Sequence, residues 1–223
     1  MISKNKELLI FDLDGTLINS IPDLTVALNS MLDFYGKSAL TVEQATPFVG
    51  NGARVLVDRA LKYAFGEDEL KKVSIEEALA LFLKAYESNV CEGTFLYEGV
   101  KETLAHLKNK GYQLVICTNK PLVFVEPILK KLEIMEFFDF WLGAESVAEK
   151  KPSAMPLLYI AEYFGLTVEK CLMIGDSSND ILAAHNANME SVGLTYGYNY
   201  NEHISLYEPT VIRDKFEDLK MLF

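Results

Sequence analysis

The chain has 223 residues, half of them apolar and 24% charged, which suits one large globular domain or one carrying a smaller insert and excludes disorder over most of its length. Lys and Arg number 21 against 32 Asp and Glu, a net charge of −11 that disfavours a general nucleic-acid or anionic-membrane binder. No apolar run approaches the roughly 20 residues of a membrane span.

The first apolar run, Leu8–Phe11, is too short for a signal-peptide core and reads as a buried strand. Asp12-Leu13-Asp14-Gly15-Thr16 follows it directly. Two carboxylates two residues apart suit two tasks: one attacks an electrophile or holds a cation, and the other shuttles a proton. Read alone, the same residues also make an ordinary polar turn.

From 20 to 92 the pattern is helical throughout. Leu24, Ala27, Leu28, Met31, Leu32 and Tyr35 form one stripe ending at Gly36. Val57, Ala60, Leu61 and Ala64 form a second, and Leu79, Phe82, Leu83 and Tyr86 a third. Thr41 and Gln44 are spaced as a capping box. A segment this long exceeds any loop, so it is expected to be an inserted helical domain, with 1–19 and 93–223 forming the other domain. Within it lies Gly50-Asn51-Gly52-Ala53-Arg54, where glycines allow close backbone approach and Arg54 could clamp a carboxylate, or the segment is simply a turn with a surface charge.

Val100, Leu104 and Leu107 predict a helix stopped by Gly111. Leu114–Cys117 is the second strand, followed by Thr118-Asn119-Lys120-Pro121, where a hydroxyl and an amide suit a phosphate oxygen or a helix cap. Phe140–Leu142 is the third. Lys150-Lys151-Pro152 comes next, with Lys151 held extended before proline at a helix entry, as a phosphate counter-charge or a solvated lysine. Leu172–Ile174 is the fourth strand, and Gly175-Asp176-Ser177-Ser178-Asn179-Asp180 opens a helix reaching Asn186. Asp176 and Asp180 fall on one helix face and, with Asp12, offer the oxygen donors that Mg²⁺ prefers. Ser191–Tyr196 and Thr210–Ile212 are weaker strands, and Asp214–Phe223 reads as a closing helix.

Cys91, Cys117 and Cys171 form no CxxC pair and suit a reducing cytoplasm; Cys117 and Cys171 read as small buried hydrophobes. His106, His185 and His203 stand in contexts that suggest no triad or zinc cluster.

Strands alternating with helices predict an α/β fold, a doubly wound parallel sheet with ligands at the carboxyl ends of its strands. Such a sheet would collect the polar motifs at one edge, where they supply a nucleophile, an acid/base, phosphate donors, a cation and metal carboxylates, a complete set for phosphoryl transfer.

Asp12-x-Asp14-Gly15-Thr16, Thr118-Asn119, Lys151 and Gly175-Asp176-x-x-x-Asp180, in that order, resemble the motifs of the haloacid dehalogenase superfamily over essentially the whole chain. The helical insert over 20–92 then resembles that superfamily's cap domain. Ser20-x-Pro22-Asp23-Leu24, Val49-Gly50-Asn51-Gly52-Ala53, Gly99-Val100, Thr118-Asn119-Lys120-Pro121, Lys151-Pro152 and Gly175-Asp176-Ser177 are similar to the phosphoglycolate phosphatases. Asn19 and Glu98 stand where that group commonly has Asp and Pro.

The resemblance implies a Mg²⁺-dependent phosphomonoester hydrolase, acting on a small phosphorylated acid such as 2-phosphoglycolate through an aspartyl-phosphate. Asp12 would be the nucleophile and Asp14 the acid/base. Thr118, Asn119 and Lys151 would hold the phosphoryl group. Asp12, Asp176 and the Asp14 carbonyl would hold the metal, with Asp180 orienting Lys151 or a metal-bound water. Asn51, Gly52 and Arg54 would be the cap's specificity residues. The competing expectations are a sugar phosphomutase, a phosphatase for another small phosphomonoester, and a phospholigand-binding module that has lost catalysis. The expected partner is a small-molecule phosphomonoester rather than nucleic acid or membrane, the expected state a monomer or homodimer, and the expected location the cytoplasm.

Overall fold

The computed structural model describes residues 2–223. Strand β1 (Leu8–Phe11) leads into a two-residue strand β2 (Ile18–Asn19). Five helices follow: α1 (Ile21–Phe34), α2 (Val42–Ala45), α3 (Ala53–Ala64), α4 (Glu67–Leu70) and α5 (Ile75–Ser88). The chain returns through β3 (Phe95–Leu96), antiparallel to β2, so this short ribbon marks where the helical segment leaves and rejoins the sheet-bearing part. Then come α6 (Val100–Asn109), β4 (Gln113–Cys117), α7 (Val125–Lys131), β5 (Phe140–Leu142), α8 (Met155–Tyr163), β6 (Cys171–Gly175), α9 (Ser178–Asn186), β7 (Glu190–Leu194) and β8 (Val211–Arg213).

The main sheet is all parallel, in the order β5-β4-β1-β6-β7-β8. Alternate side chains of each strand point to opposite faces. Leu9, Phe11, Leu114, Ile116, Leu172 and Ile174 join one core with α6 and the helical segment. Leu8, Ile10, Val115, Cys117 and Met173 join a second core with α8 and α9. Both faces are covered, which is why β1, β4 and β6 read as continuous apolar runs.

This order makes β1 the switch point: the chain lays β4 on one side of it and β6 on the other. Phe11 is in register with Ile116 and Ile174, so the residues after β1, β4 and β6 emerge side by side.

Two local patterns differ from expectation. The ladder of β7 ends at Leu194, not Tyr196, because the chain turns at Gly197 to aim the Tyr198 N–H inward at Asp176. The C-terminal helix is a 3₁₀ segment, Phe216–Met221, anchored by buried Phe216 and Leu219 three residues apart, the spacing that 3₁₀ geometry places on one side. The expected Thr41–Gln44 capping box is present at α2.

The helical segment is pinned at its exit by Asp23, a buried residue of the first turn of α1. Its carboxylate accepts from Gly93 N (2.7 Å), Thr94 N (2.9 Å) and Thr94 Oγ1 (2.5 Å). Asp23→Ala would leave two backbone N–H groups without that acceptor, a loss of about 1–3 kcal/mol. For a chain of this size that is a fall of roughly 2–12 °C in the thermal midpoint, readable by circular dichroism. Asp23→Asn keeps one acceptor oxygen and should lose less; an unchanged midpoint in both would show that the clamp contributes nothing.

Candidate active site

Asp12 follows β1, Thr118 follows β4 and Asp176 follows β6, so three adjacent strand ends carry the chemistry. Asp12 is buried. Lys151 reaches it from the loop between β5 and α8, with Nζ 2.9 Å from Asp12 Oδ1, and also donates to Asp180 Oδ1 (2.6 Å) and the Cys117 carbonyl (2.6 Å). The Asp12 contact is an ion pair whose angles fall outside those of a hydrogen bond, leaving Oδ1 with an open acceptor direction. Asp180 Oδ2 accepts from Ser177 N and Oγ, so both Asp180 oxygens are engaged.

Asp176 accepts from Thr16 Oγ1 (2.5 Å) and from Tyr198 N (2.7 Å). Gly15 and Gly197, both at φ +96°, close on its carboxylate from two sides, and a Cβ at either would collide with it. Glycine is needed at both positions for the backbone angle and for the approach. Gly175 likewise leaves room for the Asp180 carboxylate beneath β6.

Asp14 is held by Ser20 Oγ (2.5 Å) and by Lys120 Nζ, 3.0 and 3.2 Å from its two oxygens. Thr118 Oγ1 accepts from Lys120 N, leaving its proton free to donate. Asn119 Nδ2 donates to the Gly50 and Lys151 carbonyls. Above the strand ends, Phe82 and Tyr86 of α5 with Gly50 and Gly52 line a partly open cavity of about 40 Å³.

A family model for haloacid dehalogenase-like hydrolases matches residues 9–194. The chain belongs to the haloacid dehalogenase-like hydrolase family. A phosphoglycolate phosphatase of Colwellia psychrerythraea is 45% identical over 97% of this chain and 96% of that one. Phosphoglycolate phosphatase 1 of Pseudomonas aeruginosa is 41% identical over 95% of this chain and 78% of its own. The crystal structure of a predicted phosphoglycolate phosphatase from Haemophilus somnus superposes with a TM-score of 0.91 at 41% identity, covering 98% of each chain.

The hydrolase thus brings Asp12, Asp14, Thr118, Asn119, Lys151, Asp176 and Asp180 to one edge of its sheet. The loop residues Asn51 and Gly52 reach the same edge. Lys150 donates to the Asn51 carbonyl (2.6 Å) and Asn179 to the Gly50 carbonyl (3.2 Å). Asn51 Oδ1 accepts from Arg59 (2.8 Å) and the Tyr200 hydroxyl (2.8 Å), with the Arg59 guanidinium 5.1 Å from the Tyr200 ring centroid. Arg54 is not brought there. It lies half-exposed on α3, pairs with Glu76 at 2.7 Å and lines an outer groove instead of the cavity above the strand ends. The α3 helix opens at Ala53 and turns Arg54 toward α5, away from the strand ends.

Several residues at the site went unsingled in the sequence. Lys120 had a visible signal: a lysine two residues past Thr118 in the same strand-end turn. Tyr86 belongs to an apolar stripe and looks like plain core. Tyr198 contributes only a backbone N–H to Asp176, which no side-chain pattern reveals. Arg59 and Tyr200 meet across a long sequence separation.

The carboxylates lie unevenly matched. Asp12, Asp14, Asp176 and Asp180 face two buried ammonium groups, Lys120 and Lys151, leaving two negative charges. Burial is the largest influence and would lower both lysines, but Asp14 together with Tyr86 outweighs it for Lys120, and Asp12, Asp180 and Cys117 together do so for Lys151; both end above the ordinary lysine value. Burial pushes Asp12 up to about 7, with Lys151 pulling it down and Asp180 and Asp14 pushing it up. Asp176 is raised by burial, then by Asp180 and Asp12, against the bonds from Thr16 and Tyr198. Ligand oxygens of Asp12, Asp176 and Asp180 lie within 4.8 Å of one another. A buried, oxygen-only cluster short of two positive charges, with an open acceptor on Asp12, fits a hard divalent cation. Burial pushes the Cys117 thiol up to about 12, in keeping with a packed, unreactive side chain.

Asp12 and Asp176 bind protons more tightly folded than unfolded, so without a cation the fold should lose stability as pH rises from about 4 through 7. Metal-stripped protein should melt lower at pH 8 than at pH 5.5, and a divalent cation should restore the midpoint at pH 8. Asp12→Asn should flatten both responses. A metal-stripped protein that gains stability across this range would contradict the charge imbalance.

Proposed function

We propose that this phosphatase hydrolyses a small phosphorylated acid, 2-phosphoglycolate, with Mg²⁺ as its cation. The observation that carries the reading is the buried cluster of four carboxylates and two lysines at three neighbouring strand ends, beside a cavity of about 40 Å³. A cation held by Asp12, Asp176 and the Asp14 carbonyl would supply the missing positive charge and polarise the phosphoryl group. The −11 net charge repels phosphates at long range, so Lys151 and the cation must reverse the sign locally.

In the first step an Asp12 carboxylate oxygen attacks phosphorus, the bond from phosphorus to the ester oxygen breaks, and Asp14 protonates that oxygen. In the second, Asp14 takes a proton from water, the water oxygen attacks phosphorus, and the bond to Asp12 breaks to give inorganic phosphate and the free carboxylate. The Thr118 hydroxyl donates to the phosphoryl oxygens and Lys151 offsets their charge. Asp180, fixed by Ser177 at its own helix start, orients Lys151.

The helical segment 20–92 acts as a cap in this reading. With the Gly50–Gly52 loop seated on Asn119, Asn179 and Lys150, it closes the cavity against water while the phosphoryl group transfers. The cavity opens directly onto Asp12, Asp14 and Thr118, where the phosphoryl group would sit. The three free, buried cysteines support a cytoplasmic setting. No described helix is long and apolar enough to cross a membrane.

Phosphate release from a panel of small phosphomonoesters tests the reading. Phosphoglycolate should lead, activity should vanish in EDTA and return with Mg²⁺, and Asp12→Asn should abolish turnover. Hydrolysis by clean Asp12→Asn protein would sink the covalent route. Asp14→Asn should lose roughly 10²- to 10⁴-fold on alkyl phosphates and much less on phenyl phosphates, whose leaving groups need little protonation. Equal losses on both would make Asp14 structural.

A further inference from the structure

A phosphorylated acid needs a second recognition site, for its carboxylate. In 2-phosphoglycolate one methylene separates the carboxylate from the ester oxygen that leaves. Its receptor must therefore stand immediately beyond Asp14, the residue assigned to that oxygen. Arg54, paired with Glu76 at the surface, is not there.

Lys120 is. Among the described residues it is the one cationic side chain lining the cavity. It is buried and bonded to both Asp14 oxygens, so it sits beside the leaving-group position by construction. Its ammonium also lies 4.8 Å from the ring centroid of Tyr86, a residue of α5 that comes from the helical segment.

Tyr86 supplies an independent observation. It is 1% exposed, and its hydroxyl has no hydrogen-bond partner. The ring is stacked on Phe82 at 5.9 Å and meets Phe124 edge-on at 4.9 Å. Those ring contacts would serve a phenylalanine equally well; the hydroxyl is desolvated with only the neighbouring Lys120 ammonium to interact with, and it makes no well-formed hydrogen bond there. A buried donor without a well-formed hydrogen bond, beside an ammonium on the same cavity wall, is arranged for an anion.

We propose that Lys120 Nζ and the Tyr86 hydroxyl together bind the substrate carboxylate, and that this pair selects for a short phosphorylated acid. The assignment rests on the phosphatase reading above and names its specificity element. Lys120 would touch both the substrate and Asp14, whereas Tyr86 would touch the substrate and Lys120 but makes no bond to Asp14.

The test compares 2-phosphoglycolate with 2-hydroxyethyl phosphate, which has the same chain length but no carboxylate, using the full-length Mg²⁺-loaded enzyme. Wild type should prefer phosphoglycolate in kcat/KM. Tyr86→Phe should cut that preference about 10-fold, mainly through KM, because it removes one hydrogen bond to a charged group. Lys120→Met should cut it about 100-fold and also lower kcat for both substrates through Asp14. Arg54→Ala should keep the preference. If wild type prefers phosphoglycolate and both Tyr86→Phe and Lys120→Met retain that preference, the pair is overturned and the substrate reading stands. If Lys120→Met slows both substrates alike and Tyr86→Phe changes neither, Lys120 only positions Asp14 and the pair is again overturned. If wild type shows no preference, the substrate reading fails and the pair falls with it. Tyr86→Phe keeps the ring packing, so the outcome does not depend on whether Lys120→Met folds.

Discussion

Four carboxylates are packed at the ends of three buried strands with only two lysines to meet them, and much of the surrounding structure exists to make that tolerable. An isolated buried charge is costly, so three of the four carboxylates are hydrogen-bonded to fixed donors and the fourth, Asp12, is ion-paired with Lys151. Asp176 takes Thr16 and a backbone N–H, Asp180 takes Ser177 and Lys151, and Asp14 takes Ser20 and Lys120. Asp12 alone keeps an acceptor direction open. The glycines at 15, 175 and 197 follow from the same crowding, because a Cβ at any of them would occupy the space of a carboxylate. The residual charge is what gives the site its appetite for a divalent cation and, through it, for phosphate.

The helical segment meets this edge through two different kinds of contact. Its Gly50–Gly52 loop is held by polar side chains of the sheet-bearing part: Asn119, Asn179, Lys150 and Tyr200. Its α5 helix is held by aromatic packing of Tyr86 on Phe124. The Lys150 contact is exposed and can exchange with water, whereas the Asn119 and Asn179 bonds are largely buried and the aromatic contact gains from excluding water. The Asp23 clamp ties the first turn of α1 to Gly93 and Thr94, where the segment rejoins the sheet-bearing part.

What the sequence made legible divides along the same line. The parallel sheet was readable because burial on both faces makes β1, β4 and β6 continuous apolar runs, and because their polar ends follow within one or two residues. Asp12, Thr118 and Asp176 are local to those runs, so topology carries them to one place. Arg54 misled because proximity along the chain to Gly50-Asn51-Gly52 says nothing about which side of α3 faces the cavity. Tyr86 was hidden for the opposite reason: its helical spacing placed it correctly in the core stripe with Phe82, and only the geometry shows a hydroxyl without a partner. The turn at Gly197 escaped because its contribution to Asp176 is a backbone N–H, which any residue but proline could supply.

Lys120 ties these layers together. Its position is set by the β4 strand end, its charge by Asp14, and its surroundings by an aromatic wall delivered from α5. In water an ammonium beside a carboxylate contributes little, because solvent competes for both. Here the same pair is largely desolvated, and a third partner beside it meets a stronger field. On the assignment proposed above, the groups that would recognise the organic part of a substrate and the group that would serve its leaving oxygen share one ammonium, and α5 helps to bury that ammonium through Tyr86. A substrate too large to let Tyr86 reach Phe124 would leave Lys120 hydrated, and the resulting loss would fall on the chemical step as well as on binding.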